Sequence, residues 1–206
     1  MKIAILGAGM VGATLGRRFA GAGHEVFFGV PEPAEHEDKK AFAAVGTVGE
    51  AARAAEIILL AVPFGSIGDA IERCGDLAGK ILVDCTNPLR MADGKLGLTL
   101  GFDDSAAEKV AALAPGARVV KCFNQTGFDN MANPAFAGGR AVQFVCGDDS
   151  EARETVANLA GEIGFDAVDA GELKTARLLE PFAMLWIHLA MTTGLGRDFA
   201  FAILRR

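Results

Sequence analysis

Lys2-Ile-Ala-Ile-Leu-Gly-Ala-Gly-Met-Val-Gly-Ala-Thr-Leu-Gly16 is the stretch on which the reading of this 206-residue chain turns. A short apolar strand, Ile3 to Leu6, meets a turn through Gly7, Gly9 and Gly12, and a helix follows from Met10 to about Ala20. A G-x-G-x-x-G pattern says little alone. Placed after a strand and at the start of a helix, it is a dinucleotide-binding fingerprint. Gly7 makes the tight turn, Gly9 lets backbone approach a pyrophosphate, and Gly12 brings helix against strand. The unpaired N–H groups of the first helical turn, with Met10 and Val11 among its residues, add an anion site at the positive end of the helix dipole.

Working outward, Gly23 caps the helix and Glu25 to Gly29 is a second strand. The polar, Pro-broken segment Val30 to Lys40 reads as a mobile surface loop. It starts where such folds meet the adenosine ribose, so Val30 and Glu32 join the cofactor-binding residues. Glu32, twenty residues after Gly12, is either the acceptor for a ribose 2′-hydroxyl or a solvated loop acid. A short strand over Ala43 to Gly46 leads into Thr47-Val-Gly-Glu50, a capping box that starts a helix to about Ala54. Glu56 to Val62 is apolar without alternation, the mark of a parallel strand covered on both faces, and it stops at Pro63. A helix over Ser66 to Cys74 and a strand over Lys80 to Cys85 follow, the strand ending in Thr86-Asn87-Pro88.

Leu89 to Phe102 is Gly-rich without clear period and reads as loop. Ser105-Ala-Ala-Glu108 is a second capping box, for a helix to Leu113, and Ala117 to Phe123 is a strand followed by a polar turn from Asn124 to Pro134. A strand over Ala141 to Cys146, a helix capped by Asp148-Asp149-Ser150 and a last strand over Phe165 to Asp169 complete the alternation. Helical sequence fills Leu173 to Thr192 and again Gly196 to Leu204. The pattern predicts an α/β fold, a Rossmann-type doubly wound and mainly parallel sheet with C-terminal helices. Residues 1–170 form the nucleotide-binding domain, and 171–206 a helical segment packed on it as one compact unit. Ligands of such sheets sit beyond the carboxyl ends of the strands. The turns at Ala61-Val62-Pro63-Phe64, Asn87-Pro88 and Asn124-Gln125-Thr126 therefore converge with the glycine loop on one edge.

The net charge of −6 argues against nucleic acid or an anionic membrane as partner. The first strand begins within two residues of Met1, which leaves no room for a signal peptide, and the longest apolar run, Pro181 to Leu195, is too short to span a bilayer. These features point to a cytoplasmic protein. Cys74, Cys85, Cys122 and Cys146 show no metal-ligand spacing and read as buried free thiols. No metal is expected. The run Pro181 to Met191 is apolar nearly all round and calls for burial, in its own core or against a second subunit.

Absences narrow the chemistry. The chain has no tyrosine, so the Tyr/Lys acid–base pair of short-chain dehydrogenases cannot form. His24 lies at a helix turn, His36 in the acidic loop, and His188 in an apolar helical run that suits a core histidine. No side chain is assigned as catalytic acid or base. Hydride transfer between a nicotinamide and a planar, flavin-like ring fits a site that supplies geometry more than protons. Val62, Pro63 and Phe64 would form an apolar wall beside the nicotinamide, Asn87 and Asn124 would hydrogen-bond its amide or the second ring, and Ala61 and Pro88 join the cofactor-binding residues. Phe64, Asn124, Gln125 and Thr126 would line the acceptor. Strand termination by the prolines and turn chemistry of the asparagines are the alternative readings.

The chain resembles the NADP oxidoreductases that depend on an 8-hydroxy-5-deazaflavin coenzyme, and more distantly the cytosolic domain of six-transmembrane metalloreductases. The likeness rests on Gly7-Ala-Gly-Met-Val-Gly12, Phe28-Gly-Val-Pro-Glu-Pro33, Ala61-Val-Pro63, Asp84-Cys-Thr-Asn-Pro88 and Val120-Lys-Cys-Phe-Asn124. It continues through Met131-Ala-Asn-Pro134, Phe144-Val-Cys-Gly-Asp-Asp149, Asp169-Ala-Gly171 and Arg177-Leu-Leu-Glu-Pro181. The resemblance implies a homodimer that moves hydride between NADP(H) and a small-molecule deazaflavin or flavin acceptor. Val30-Pro31-Glu32 stands where the family commonly carries an arginine for the 2′-phosphate. The local chemistry thus leans toward NAD, while the family implies NADP. A redox sensor that binds NAD(P) without turnover, or an electron-donor module serving a partner protein, are the rival readings.

Overall fold

The computed structural model describes residues 1–92 and 94–206. Strand β1 (Lys2–Leu6) alternates between two apolar layers, Ile3 and Ile5 facing one and Ala4 and Leu6 the other. Helix α1 (Met10–Gly21), strands β2 (Glu25–Gly29) and β3 (Ala44–Gly46), helix α2 (Val48–Ala54) and strand β4 (Ile57–Leu60) complete the first half. β4 alternates as β1 does, Ile57 and Leu59 on one side, Ile58 and Leu60 on the other. Both faces are covered, which is why its sequence is apolar at every position.

The second half carries α3 (Ile67–Cys74), β5 (Ile81–Asp84), a hairpin of β6 (Leu89–Ala92) and β7 (Lys95–Leu98), α4 (Ala106–Leu113) and β8 (Arg118–Lys121). It continues through α5 (Phe128–Ala132), a small ribbon of β9 (Ala135–Phe136) and β10 (Gly139–Arg140), β11 (Val142–Gly147), α6 (Ser150–Glu162), β12 (Asp166–Asp169) and α7 (Ala176–Thr192). The main sheet runs β12-β11-β8-β5-β4-β1-β2-β3. Strands β1 to β5 and β8 are parallel, and the order reverses between β1 and β4, the switch point at which such sheets hold ligands.

The far edge breaks the pattern. β11 runs antiparallel to β8, pairing only Cys146 with Lys121 and Gly147 with Val120, so its earlier residues stand beyond the carboxyl end of β8. The Gln125 side chain extends this seam: its Nε2 donates to the Phe144 carbonyl at 2.8 Å, and its Oε1 accepts from the Phe144 N–H at 2.9 Å. β11 and β12 thereby form a wall beside the ligand edge.

Helix starts follow their sequence signals. Thr47 and Glu50 form the reciprocal capping box. Ser105 accepts from the Glu108 N–H at 3.2 Å and Asp149 from the Ala152 N–H at 2.7 Å. Four readings need correction. The segment expected as loop over Leu89 to Phe102 contains the β6–β7 hairpin, with Leu89 opposite Leu98 and Gly94 at φ 72°; Asp93, within it, lies outside the described residues. Val30 to Lys40 is not an open loop, because Pro33–Ala41 coils into 3₁₀ turns. The polar turn after Phe123 includes the short α5. Gly196 to Leu204 is not helical: Gly194 and Gly196 take φ 77° and 75°, and the tail is irregular. The Val142 N–H donates to the Phe201 carbonyl at 2.9 Å. Phe199 stacks on Trp186 and Phe201 packs on Phe182, so both rings hold the tail against α7.

α7 is buried within the chain on one face only. Leu179, Ala183, Trp186 and Ala190 are buried, but Leu178, Pro181, Leu185, His188 and Thr192 line one exposed stripe. His188 is therefore a surface residue, its Nδ1 3.1 Å from the Thr192 hydroxyl. Among the described residues no helix is long and apolar enough to cross a membrane.

Candidate functional site

The glycine loop divides into residues the fold requires and one it does not. Gly7 has φ 96°, and a Cβ there would lie 2.6 Å from the Ala61 carbonyl oxygen. A Cβ at Gly12 would lie 2.1 Å from the Gly7 oxygen, and at Gly16 it would meet the Phe28 ring at 2.4 Å. Gly9 is otherwise: its φ of −68° suits any residue, and a Cβ would meet nothing within 4 Å. No packing inside the chain demands glycine there. A glycine in that position leaves the backbone open to close approach by a group from outside the chain. Gly9 also N-caps α1 without any side-chain bond, so the first-turn N–H groups are left to an anion. Met10 is exposed and Val11 half-buried beside them. The loop fits a pyrophosphate.

At the adenosine end, Val30 is buried and donates to the Gly46 carbonyl at 3.1 Å, while Pro31 and Glu32 are exposed. Lys39 and Lys40 are already paired, with Asp38 and Glu37. The Lys39 contact holds the Asp38 carboxyl below the usual aspartate range. The Arg17 guanidinium stacks over Phe42, 4.7 Å from the ring centre.

Across the switch point, the Ala61 N–H donates to the Leu6 carbonyl at 2.9 Å, tying the end of β4 to the start of the glycine turn. Val62 and Phe64 are half-buried and Pro63 is exposed. Asn87 and Asn124 are brought together: Asn87 Nδ2 donates to the Asn124 carbonyl at 2.8 Å, and Asn124 Nδ2 to Asn87 Oδ1 at 3.0 Å. Phe123, at φ 58°, is the turn that allows this. Its ring stays among Phe19 and Phe165 while the backbone carries Asn124 back toward Asn87. Thr126 accepts from Asn130 at 2.7 Å. Gln125 is committed to Phe144, so its amide serves the wall and not an open cleft.

Sequence reasoning missed what lies beneath the asparagines. Lys121 Nζ donates to Asp84 Oδ2 at 2.8 Å, to Glu180 Oε1 at 2.9 Å and to the Thr86 carbonyl at 2.6 Å. All three charged side chains are buried. Asp84 Oδ1 accepts the Thr86 N–H at 2.8 Å, and Glu180 accepts the Ala106 and Ala107 N–H groups at the start of α4, at 2.9 and 3.2 Å. Burial pulls the Lys121 ammonium down, but Asp84 and Glu180 more than reverse this and leave it above the ordinary lysine value of 10.5. Burial raises the Glu180 carboxyl, against the pull of Lys121. The signal was a lone charge in each of two apolar runs, Ile81-Leu-Val-Asp84 and Val119-Val-Lys-Cys122. Charges there need each other. The Thr86 hydroxyl is buried and has no partner among the described residues.

Next to Pro88 opens a cleft of about 860 Å³ between the segment Leu98 to Asp104 and the start of α7 at Arg177, Leu178 and Pro181. Its near wall hangs on Pro88, whose carbonyl accepts the Thr99 N–H at 2.8 Å and the Thr99 hydroxyl at 3.0 Å. Arg177 holds Glu108 through two contacts of 2.8 and 2.7 Å, fixing α7 on α4. The described residues hold no cluster of metal-ligating side chains.

The profile of the family described as NADP oxidoreductase, coenzyme F420-dependent, matches residues 2–88. The F420-dependent NADP reductase of Methanothermobacter marburgensis is 33% identical over 92% of this chain and 92% of its own length. The chain belongs to this family. A crystal structure of an Arthrobacter sp. FB24 protein, assigned as an F420-dependent NADP reductase, superposes with a TM-score of 0.92 at 34% identity, covering 100% of both chains. The rat metalloreductase STEAP3 is 34% identical over 87% of this chain, which spans only 36% of that protein's length. As a family member the chain is an NAD(P)-dependent oxidoreductase, and the Rossmann-type order of its sheet agrees.

Proposed function

We propose that this chain transfers hydride between NADP(H) and a deazaflavin-type acceptor, as the name of its archaeal relatives describes. The observation that carries the cofactor half is Gly9, a glycine with no steric duty inside the protein, at the uncapped N-terminus of α1 on the switch point of the sheet. When bound, the dinucleotide supplies the hydride chemistry. The chain's own work is to bind, orient and exclude water. Gly7, Gly9, Met10, Val11 and Gly12 hold the pyrophosphate, and Val30 and Glu32 flank the adenosine ribose. Ala61, Val62, Pro63, Asn87 and Pro88 frame the nicotinamide half. Phe64, Asn124 and Thr126 face the acceptor side, and the cleft beside Pro88 gives the acceptor room. A flat ring laid against the nicotinamide needs alignment and not a proton relay, in keeping with a strand edge that carries no histidine.

The test is NADPH oxidation monitored with a deazaflavin, a flavin and a ferric complex in parallel. Turnover fastest with the deazaflavin is expected. Tight NADPH binding without turnover on any acceptor would replace this reading with that of a sensor, and turnover only on adding a protein partner would make the chain a donor module. A cytoplasmic location goes with the use of free NADPH. The stripe of Leu178, Pro181 and Leu185 on α7, with Leu178 69% and Leu185 47% exposed, supports a homodimer. Sedimentation at micromolar concentration should show a dimer that Leu185→Glu converts to monomer; a wild-type monomer would remove this assignment.

A further inference from the structure

The buried ion cluster has no counterpart in the proposed binding roles, and its contacts are unusual in where they go. An ion pair inside a sheet is not needed for stability; apolar residues of similar volume often serve as well or better. Here every contact of Lys121 leads to an element that borders the ligand edge. Thr86, which precedes Asn87, is held from both ends, its carbonyl by Lys121 and its N–H by Asp84. Glu180 connects the same ammonium to α7 and to the N-terminus of α4, the elements behind the cleft beside Pro88. Asn87, one residue beyond this clamp, is joined in turn to Asn124. The Thr86 hydroxyl, buried in the middle of the arrangement, is unsatisfied within the described chain, a state uncommon for a buried polar group.

We infer that Lys121 is a positioning residue for the nicotinamide half of the cofactor: by clamping Thr86 against Asp84 and Glu180 it presets the Thr86–Asn87 turn that the carboxamide and its ribose meet. Lys121 touches no ligand itself. The inference rests on the proposed reading of the β4–β5–β8 edge as the nicotinamide side, which the strand order supports. The adenosine side, on β1 to β3, lies across the switch point and, among the described residues, shares no hydrogen bond or ion pair with the cluster.

Calorimetric titration of the full chain with two probes tests this. NADPH carries both halves of the cofactor, and 2′-phospho-ADP-ribose lacks the nicotinamide. Lys121→Met is the direct variant. Lys121→Met/Asp84→Asn is the second, since it removes the charge without stranding Asp84 and leaves Glu180 on its two α4 N–H groups. The expected result, in whichever variant folds by circular dichroism, is a loss of fivefold or more in NADPH affinity with 2′-phospho-ADP-ribose within twofold of wild type. Equal losses for both probes would mark Lys121 as a general structural residue, and no loss for either would leave it without a role; each outcome overturns the assignment. Neither titration uses an acceptor. A protein that shows the divergence yet reduces no deazaflavin would lose the proposed reaction and keep Lys121 in this role.

Discussion

Gly9 and Gly12 stand three residues apart in one loop, yet alanine should affect them in opposite ways. At Gly12 the new methyl would overlap the Gly7 carbonyl, 2.1 Å away, and backbone must move. Gly12→Ala should cost stability at the upper end of the ~1–3 kcal/mol typical of overpacking, seen as a lower urea midpoint. At Gly9 the methyl meets no protein atom. Gly9→Ala should change stability by less than about 1 kcal/mol while weakening NADPH at least tenfold; unchanged affinity would argue against pyrophosphate at this loop. The adenosine end gives a second test. Pro31 and Glu32 offer the 2′-phosphate no charge of the right sign, and Lys39 and Lys40 are spent on loop acids. Glu32→Arg should therefore tighten NADPH tenfold, about 1.4 kcal/mol, and leave NADH unchanged in parallel titrations. The four thiols are quiet. Burial pushes Cys74 up to about 11 and Cys146 up to about 12, so dithionitrobenzoate should react with the native chain only as fast as it opens.

Between elements, the link that matters is Lys121 between β5, β8 and α7. Its removal alone leaves two buried carboxylates facing one another and should cost about 3–5 kcal/mol. The Lys121 value is raised in the fold, so its contribution to stability is fully present below pH 10.5 and declines as pH climbs past that point. Above pH 10.5 wild type should lose urea resistance more steeply than the Lys121→Met/Asp84→Asn variant, which keeps only the alkaline decline owed to its other raised groups, the buried thiols among them. Strands and helix caps were legible in sequence because local chemistry decides them. A short all-apolar run stopped by Pro63, such as Ile57 to Leu60, reads as a covered strand, and Thr47 with Glu50 closes its capping box within one turn. The ion cluster was not legible as a cluster, because its members come from residues 84, 121 and 180 and meet only in the folded sheet. The β6–β7 hairpin was missed for another reason. Its strands are exposed on Arg90, Met91, Lys95 and Leu96, so no buried face imposed a period on the sequence.

For the whole molecule, the doubly wound, mainly parallel sheet followed from the alternation of strands and helices. What alternation does not carry is direction. β11 is largely apolar, and nothing within Val142 to Gly147 marks it as antiparallel to β8. The reversal depends instead on the long excursion through α5 and the β9–β10 ribbon, which keeps the chain at the carboxyl end of the sheet where β8 leaves it. One consequence concerns time. The Phe144 amide lies beyond the last backbone pair of β8 and β11, yet the side chain of Gln125 occupies it at 2.9 Å. In deuterated water that proton should linger as long as those of the parallel ladder, and in a Gln125→Ala protein it should be among the first to go.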